Sequence, residues 1–370
     1  MADQNFMNPI DVSRLGQINA TGDANAMFLK VFSGEVLQTF EEANVMMPLH
    51  TVRTIASGKT AQFPVMGTAA AKYHSAGESI MGSFVDATGG TDGTAEAGEG
   101  KYLNRIKHAE RTISIDGTLV SSAFIADIDE AKNHYDVRAA YTTQIGRELA
   151  YHSDRALIRT VIAGARRVDD RFGGTATGGT ADPRFLGATI DATTFEGDDP
   201  TNTYTAKELV NAIVQVAQKM DEKNVPAEGR YVIFNPAEYY KLVGSGNDAI
   251  NTDFGGMGSI ATGEVAQVAG IRIMKSNHIP SGAASATEEL ASSSIQNDIF
   301  GANGVGYGNT SFANTAGIAF QTEGVGTVKL LDLGLESEYQ LDRLGTLMVA
   351  KYAMGHGVLR EECCYEIVTA

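Results

Sequence analysis

The residue types that could do chemistry in this chain are a Ser57-Gly58-Lys59-Thr60 run, seven histidines, two cysteines and the acid pair Glu361-Glu362. The first run has the ending of a phosphate-binding loop, in which a lysine and a hydroxyl follow a glycine-rich turn that opens a helix. That motif also needs a glycine five residues before Gly58, where the chain has Arg53, and here the run leads into a proline-containing strand. It reads as a turn before a strand, and a nucleotide-dependent alternative would rest on Lys59 alone. The histidines, at 50, 74, 108, 134, 152, 278 and 356, lack the close spacing of a metal set. His134 and His152 share a helix face but lie about 27 Å apart at ~1.5 Å per residue. Cys363 and Cys364 are adjacent, so on a strand they point to opposite faces, and no disulfide framework or zinc set follows. No G-x-S-x-G elbow occurs. The glycine-rich stretches 255–263 and 301–308 lack the strand-to-helix context of a dinucleotide fold. Glu361 and Glu362 are expected to be solvated. The chain is therefore read as a non-enzyme, with no catalytic residue, cofactor or metal.

The composition agrees with a structural task. Lys plus Arg number 29 against 45 Asp plus Glu, a formal charge of −16, which argues against a protein whose main work is gripping nucleic acid. With 370 residues and 43% hydrophobic composition the chain can bury a large core, and its length suggests more than one domain. The 41 glycines cluster without a collagen period, which implies long connections. The start, MADQNFMNPIDVSRLG, has neither a basic leader nor an apolar core, and no run approaches a membrane span. A reducing, cytoplasmic place of synthesis is the default.

The element that must position everything else is the stretch from Asn133 to Arg167, which reads as one long helix. Asn133 and Asp136 resemble a capping box, and Gly164 with Arg166 and Arg167 suits the far end. In its first half Tyr141, Ile145 and Leu149 form one stripe, while Asp136, Arg147 and Asp154 fall on a flank expected to meet water. In its second half Ala156, Leu157, Ile158, Val161, Ile162 and Ala163 spread all round, as in a helix enclosed on several sides.

Before it, residues 1–25 form a polar arm, and Phe28, Phe32, Val36 and Phe40 recur every four residues in an amphipathic helix over 26–42 that needs a partner. From Lys59 to Ile115 the chain leaves the body and returns: Thr60–Met66 is the outgoing strand, held to an edge by Pro64, and Arg111–Gly117 the returning one. The tip from Gly77 to Gly100 is glycine-rich, flexible and acidic, with Glu78, Asp86, Asp92, Glu96 and Glu99. The return limb carries Lys101, Arg105, Lys107 and Arg111. Two readings stay open, a loop that pairs electrostatically with a neighbouring subunit and a solvated hairpin whose charges confer solubility.

After the long helix, residues 173–204 form a glycine-rich connector. Thr205 then caps a helix from Ala206, with Glu208 at its box position. Arg230–Phe234 is a buried strand, and Asn235-Pro236 opens the next helix, with Glu238 completing its box. A strand pair around Gly270 completes a mixed domain over about 179–315. Residues 282–316 are expected to be another flexible surface loop. The end of the chain is strand-rich, in GIAFQ, GTVKLLDL, GTLMVAKYAM and CCYEIV, and these strands are expected to pack on the long helix.

Several blocks carry a family resemblance: MFLKVFSGEVLQTF from Met27, VRTIASGKTAQFPVMG from Val52, TISIDG from Thr112, DIDEAKNHYDVRAAYTTQIG from Asp127, GVGTVKLLDLGLE from Gly324 and AKYAMGHGVLR from Ala350. In order and spread over nearly the whole chain, they resemble the major capsid proteins of short-tailed phages of the T-seven type (autographiviruses). The resemblance implies an α+β chain with the Hong Kong 97-type capsid fold. Its parts would be an N-terminal arm (1–58), an extended β-hairpin loop (59–116), a peripheral domain with the spine helix (117–178 and 316–370) and an axial domain (179–315). It implies self-assembly as pentamers and hexamers into an icosahedral shell around double-stranded DNA, which the chain would enclose without sequence-specific binding. It implies as partners a separate scaffolding protein, since no long charged leader precedes the first helix, and a portal at one vertex. Location in the virion, after assembly in the host cytoplasm and with no membrane, also follows from it. The acidic balance fits a wall along which DNA must slide. An encapsulin-type compartment of the same fold is the alternative. Glu78, Glu96, Glu99, Lys101, Arg105, Lys107, Arg111, Phe28, Phe32 and Tyr141 are the expected inter-subunit contacts. The glycine-rich tip 80–100 looks longer than the family pattern, so its contact does not carry over.

Overall fold

The computed structural model describes residues 44–69, 71, 73–74, 76–77, 84–85, 103–104, 106–132, 137–169, 172, 182–192, 206–243, 267–280, 299, 307, 312 and 314–369. The arm 1–25, the helix expected over 26–42 with Phe28 and Phe32, Glu78, Glu96 and Glu99 of the tip, the basic residues Lys101 and Arg105, the Asn133–Asp136 cap and Thr205 lie outside the described residues.

In chain order the elements are β1 (Thr51–Thr54), β2 (Thr60–Met66), β3 (Phe84–Val85), β4 (Leu103–Asn104), β5 (His108–Ser114), β6 (Leu119–Ala126), α1 (Asp127–Lys132) and α2 (Val137–Arg166). They continue with β7 (Ala188–Asp191), α3 (Ala206–Glu222), β8 (Arg230–Phe234), α4 (Pro236–Val243), β9 (Gln267–Val268), β10 (Ile271–Lys275), β11 (Thr315–Gln321), β12 (Val325–Gln340), β13 (Gly345–Val358) and β14 (Cys364–Val368). The returning strand β5 thus starts three residues earlier than the alternation of Arg111–Gly117 suggests, because β2 pairs it from Thr60↔Ser114 out to Met66↔His108. Within the tip, Phe84–Val85 pairs in parallel with Leu103–Asn104.

The long helix α2 has 30 residues, about 45 Å at ~1.5 Å per residue. It runs through Gly164, where a cap was expected, to Arg166. A Cβ at Gly164 would lie 3.0 Å from Cys364 Sγ and 3.1 Å from Val358 Cγ1, so this glycine lets the sheet approach the helix and does not end it.

Two sheets meet this helix. The six-stranded sheet has the order β7-β14-β11-β8-β10-β9, with β8 parallel to β10 through α4, and β11 antiparallel to both β8 and β14. Its residues alternate between two cores, as a pleat requires. Val232, Phe234, Ala319, Cys363, Tyr365 and Ile367 face Leu209, Ile213, Val216 and Met220 of α3. Ile233, Ile318, Phe320 and Cys364 face Leu157, Ile158, Val161 and Ile162 of α2. The adjacent cysteines therefore end in different cores, as their spacing predicts. The four-stranded sheet, β1-β12-β13-β6, receives the first half of α2, where Ile145 and Leu149 pack on Ala350, Tyr352 and Met354.

The C-terminal strands are accordingly divided. β11 and β14 lie inside the sheet built from residues 188–275, whereas β12 and β13 form the centre of the other, so the sheets do not follow a cut at residue 315. Two further expectations are corrected. Asp154 is not on a watered flank: it is fully buried, and its carboxylate accepts from Val45 N (3.0 Å), Met46 N (2.8 Å) and His278 Nδ1 (2.8 Å). Within 282–316, Tyr307 and Phe312 are buried rather than part of a loose surface loop. Fully buried Arg159 stacks over the Phe312 ring and donates to Tyr307 O. A guanidinium that pins a loop on a helix needs such acceptors and rings to be buried at all.

Candidate assembly surfaces

The described part of the extended hairpin is a two-stranded ribbon, β2 with β5, and Pro64 sits in it without cost because β2 has a free edge. Its root rests on the four-stranded sheet through Ala61, Ile113 and Ile115, packed with Val328 and Ala353. Ile113 lies against a cross-strand glycine pair, Gly326↔Gly357: a Cβ on Gly357 would lie 2.8 Å from Ile113 Cγ1. Gly58 turns the chain from β1 into β2 with φ of +115°, so Ser57–Thr60 is a turn that leads into a strand.

Of the two described basic residues of the return limb, Arg111 is turned inward. Arg111 donates to Glu361 Oε1, and Arg167, just past the end of α2, donates to the same oxygen at 3.4 Å. Glu361 has no exposure and Glu362 is buried too, so the expectation of a solvated acid pair is overturned. Both lie on the turn Glu361–Cys363 between the two sheets, where strands separate and a carboxylate can be reached from either side. Lys107 is exposed on the ribbon but close to Asp182. The Asp182 carboxyl is held below its ordinary range, first by the hydrogen bond from Arg184 and further by the nearby Lys107 charge. Tyr141 is half-buried on α2.

A second surface escaped the sequence reading. β12 is paired to β13 out to Gln340, but β1 pairs it only from Gly326 to Lys329. Beyond that point Leu331, Leu333, Leu335 and Tyr339 are about half exposed, and at the turn Leu341 and Leu344 are 79% and 62% exposed. Leu344 also holds a left-handed backbone with φ of +49°, a conformation costly for a bulky residue. The alternation Leu331-Asp332-Leu333-Gly334-Leu335-Glu336 was legible as a strand with one apolar face; that nothing among the described residues covers that face was not.

The buried polar groups act as fastenings. His50 Nδ1 bonds the Met46 carbonyl at 2.8 Å, so it donates, and His50 Nε2 must then accept from Thr327 Oγ1 at 2.6 Å. Thr327 Oγ1 in turn accepts from His356 Nδ1 at 2.8 Å. With both imidazoles neutral the chain runs in one direction, from His356 Nδ1–H through the Thr327 hydroxyl to His50 Nε2. Burial lowers the His50 pKa, and it takes His356, with repulsion from His50, His152 and Lys329, down to about 3. Asp154, His278 and Ser276 contain the parts of a proton relay. However, Ser276 Oγ accepts from the His278 backbone N–H, and all three are sealed from solvent. Among the described residues no group of three or more His, Cys, Asp or Glu is placed to hold a metal ion, and no helix is long and apolar enough to cross a membrane.

Residues 91–368 match the family model described as Gp10A-like major capsid protein. The chain is 34% identical to the major capsid protein of Escherichia phage T7 over 353 residues, covering 94% of this chain and 93% of that one. It is equally similar, 34% over 358 residues, to the major capsid protein of Enterobacteria phage T3, covering 95% and 94%. Among solved structures, the capsid of the cyanophage P-SCSP1u superimposes with a TM-score of 0.72 at 37% identity, over 99% of both chains.

Proposed function

The chain belongs to the major capsid protein family of T7-like phages, with the Hong Kong 97-type capsid fold, and from that premise we propose how its surfaces serve the shell. As a major capsid protein it is a subunit of a multimeric virion shell. Its relatives and structural neighbours are phage capsid proteins, which disfavours the encapsulin-type alternative and makes the subunit's role structural.

In the finer reading, subunits form pentamers and hexamers that close around double-stranded DNA. Assembly takes place in the host cytoplasm, on a separate scaffolding protein and with a portal at one vertex. The arm is residues 1–58 and the extended loop 59–116. The peripheral domain holds the spine helix and the chain end, and the axial domain, 179–315, is completed by β11 and β14. The observation that carries this reading is the apolar stretch of β12 and its turn that stays exposed among the described residues, beside a two-stranded ribbon. The acidic balance supports a wall that DNA does not adhere to.

Co-expression with the cognate scaffolding protein should give closed shells by electron microscopy; soluble monomers under all conditions would count against the reading. Reversing Lys101, Arg105, Lys107 and Arg111 to Glu should impair shell formation more than subunit folding, and the triple reversal that keeps Arg111 for Glu361 should still impair shells while the circular dichroism of the subunit stays native. Normal shells from that variant would remove the return limb from the assembly contacts.

A further inference from the structure

We infer that Glu361 is a positioning residue for the extended hairpin, setting its direction inside the subunit before any neighbour is met. The inference rests on the reading of that hairpin as an inter-subunit element. A ribbon of two strands has little stability or stiffness of its own, so its direction is decided at the root. The apolar part of the root is poorly suited to that task. Ile113 rests on the bare backbone of Gly326 and Gly357, and contact of that kind attracts without fixing an angle.

Several directional contacts hold the root, among them Asp116 N to Met354 O and Arg53 Nη1 to Gln62 O, and two charged ones converge on one side chain. Arg111 of β5 and Arg167 beyond α2 both donate to Glu361 Oε1, so a single carboxylate ties the ribbon to the end of the spine helix. Glu361 is fully buried, while the side chains of Arg111 and Arg167 are 19% and 37% exposed. Its other oxygen, Oε2, has no hydrogen-bond partner among the described residues. A group placed for stability alone would not be left half satisfied, since a buried ion pair is weak as a source of stability but strict in geometry. The raised pKa of its carboxyl, caused by burial despite both arginines, agrees with a charge kept there at a cost.

The test uses the full, unassembled chain with nitroxide labels at Met66→Cys on the ribbon and Val214→Cys on α3, both exposed, while native Cys363 and Cys364 are buried and unreactive. Pulsed electron resonance should give one narrow distance. Glu361→Gln, and independently Arg111→Met, should lose that narrow distance well below the melting transition, whatever the shift in melting temperature, and Arg111→Lys should restore it. A narrow distance retained in both variants, or lost only together with the melt, overturns the inference. Shell formation by the unaltered chain is scored separately and decides the assembly reading, so the two can fail independently.

Discussion

The strands β12 and β13 pass through two unlike environments. At one end Val325, Thr327, Val328 and His356 are sealed among β1, the ribbon and the body of the subunit, and Thr327 joins His50 and His356 in a hydrogen-bonded chain. At the other end, past Lys329, the same pair of strands keeps its ladder but exposes Leu331, Leu333, Leu335, Tyr339, Leu341 and Leu344. Backbone pairing is satisfied at both ends, so hydrogen bonding does not separate them. Burial does: the first end contributes to the stability of the subunit, and the second keeps apolar area exposed among the described residues.

The comparison breaks most sharply at the buried polar anchors. Asp154→Ala would strand the N–H groups of Val45 and Met46 and the imidazole of His278 in the core. It should cost about 3–5 kcal/mol in urea denaturation, as breaking a buried pair from one side does. A loss below ~1 kcal/mol would mean that water replaces the carboxylate and that the anchor is not sealed.

Acid should act on the same end of the ribbon. The His356 pKa is about 3 in the fold against an ordinary 6.5. The unfolded chain therefore binds the extra proton as pH falls through this window, and stability drops with it. The linkage is worth about 2 kcal/mol between pH 7 and 5 for this residue alone. His50, shifted in the same direction, adds to it. Chemical denaturation at pH 7 and pH 5 checks the slope; His356→Gln should flatten it.

At the exposed end the expected effect on the fold is smallest. Leu335→Lys with Leu341→Lys should change subunit stability by less than about 0.5 kcal/mol, yet reduce the yield of closed shells in co-expression. Equal losses of stability and of shells would show that this surface belongs to the subunit's own core.

Much of the fold was legible because its cues are local. Thr60–Met66 and Arg230–Phe234 are strands with the bounds their patterns give, α4 opens at Pro236, and the all-round apolar half of α2 is buried throughout. The misses share one cause. Gly164 resembled a cap because glycine at a helix end usually is one. Its close neighbour, Cys364, is 200 positions away. Asp154, Glu361 and Tyr307 looked like solvent-facing or loop residues because their partners are similarly remote: Met46 is 108 residues from Asp154, Arg111 is 250 from Glu361, and Asp116 is 191 from Tyr307.

The sequence by itself determined the acidic, non-basic surface balance, the long spine helix, the outgoing and returning strands of the extended hairpin and, through blocks spread along the chain, the family. Those are properties of periodicity, composition and local order, which survive without knowing what lies across space. Only the tertiary structure decided which charges are inside, why Ile113 sits on two glycines, and which end of the β12–β13 ribbon is left uncovered. Burial is a property of pairs of distant segments, and the same leucine or glutamate carries no mark in its own neighbourhood of the side it will face.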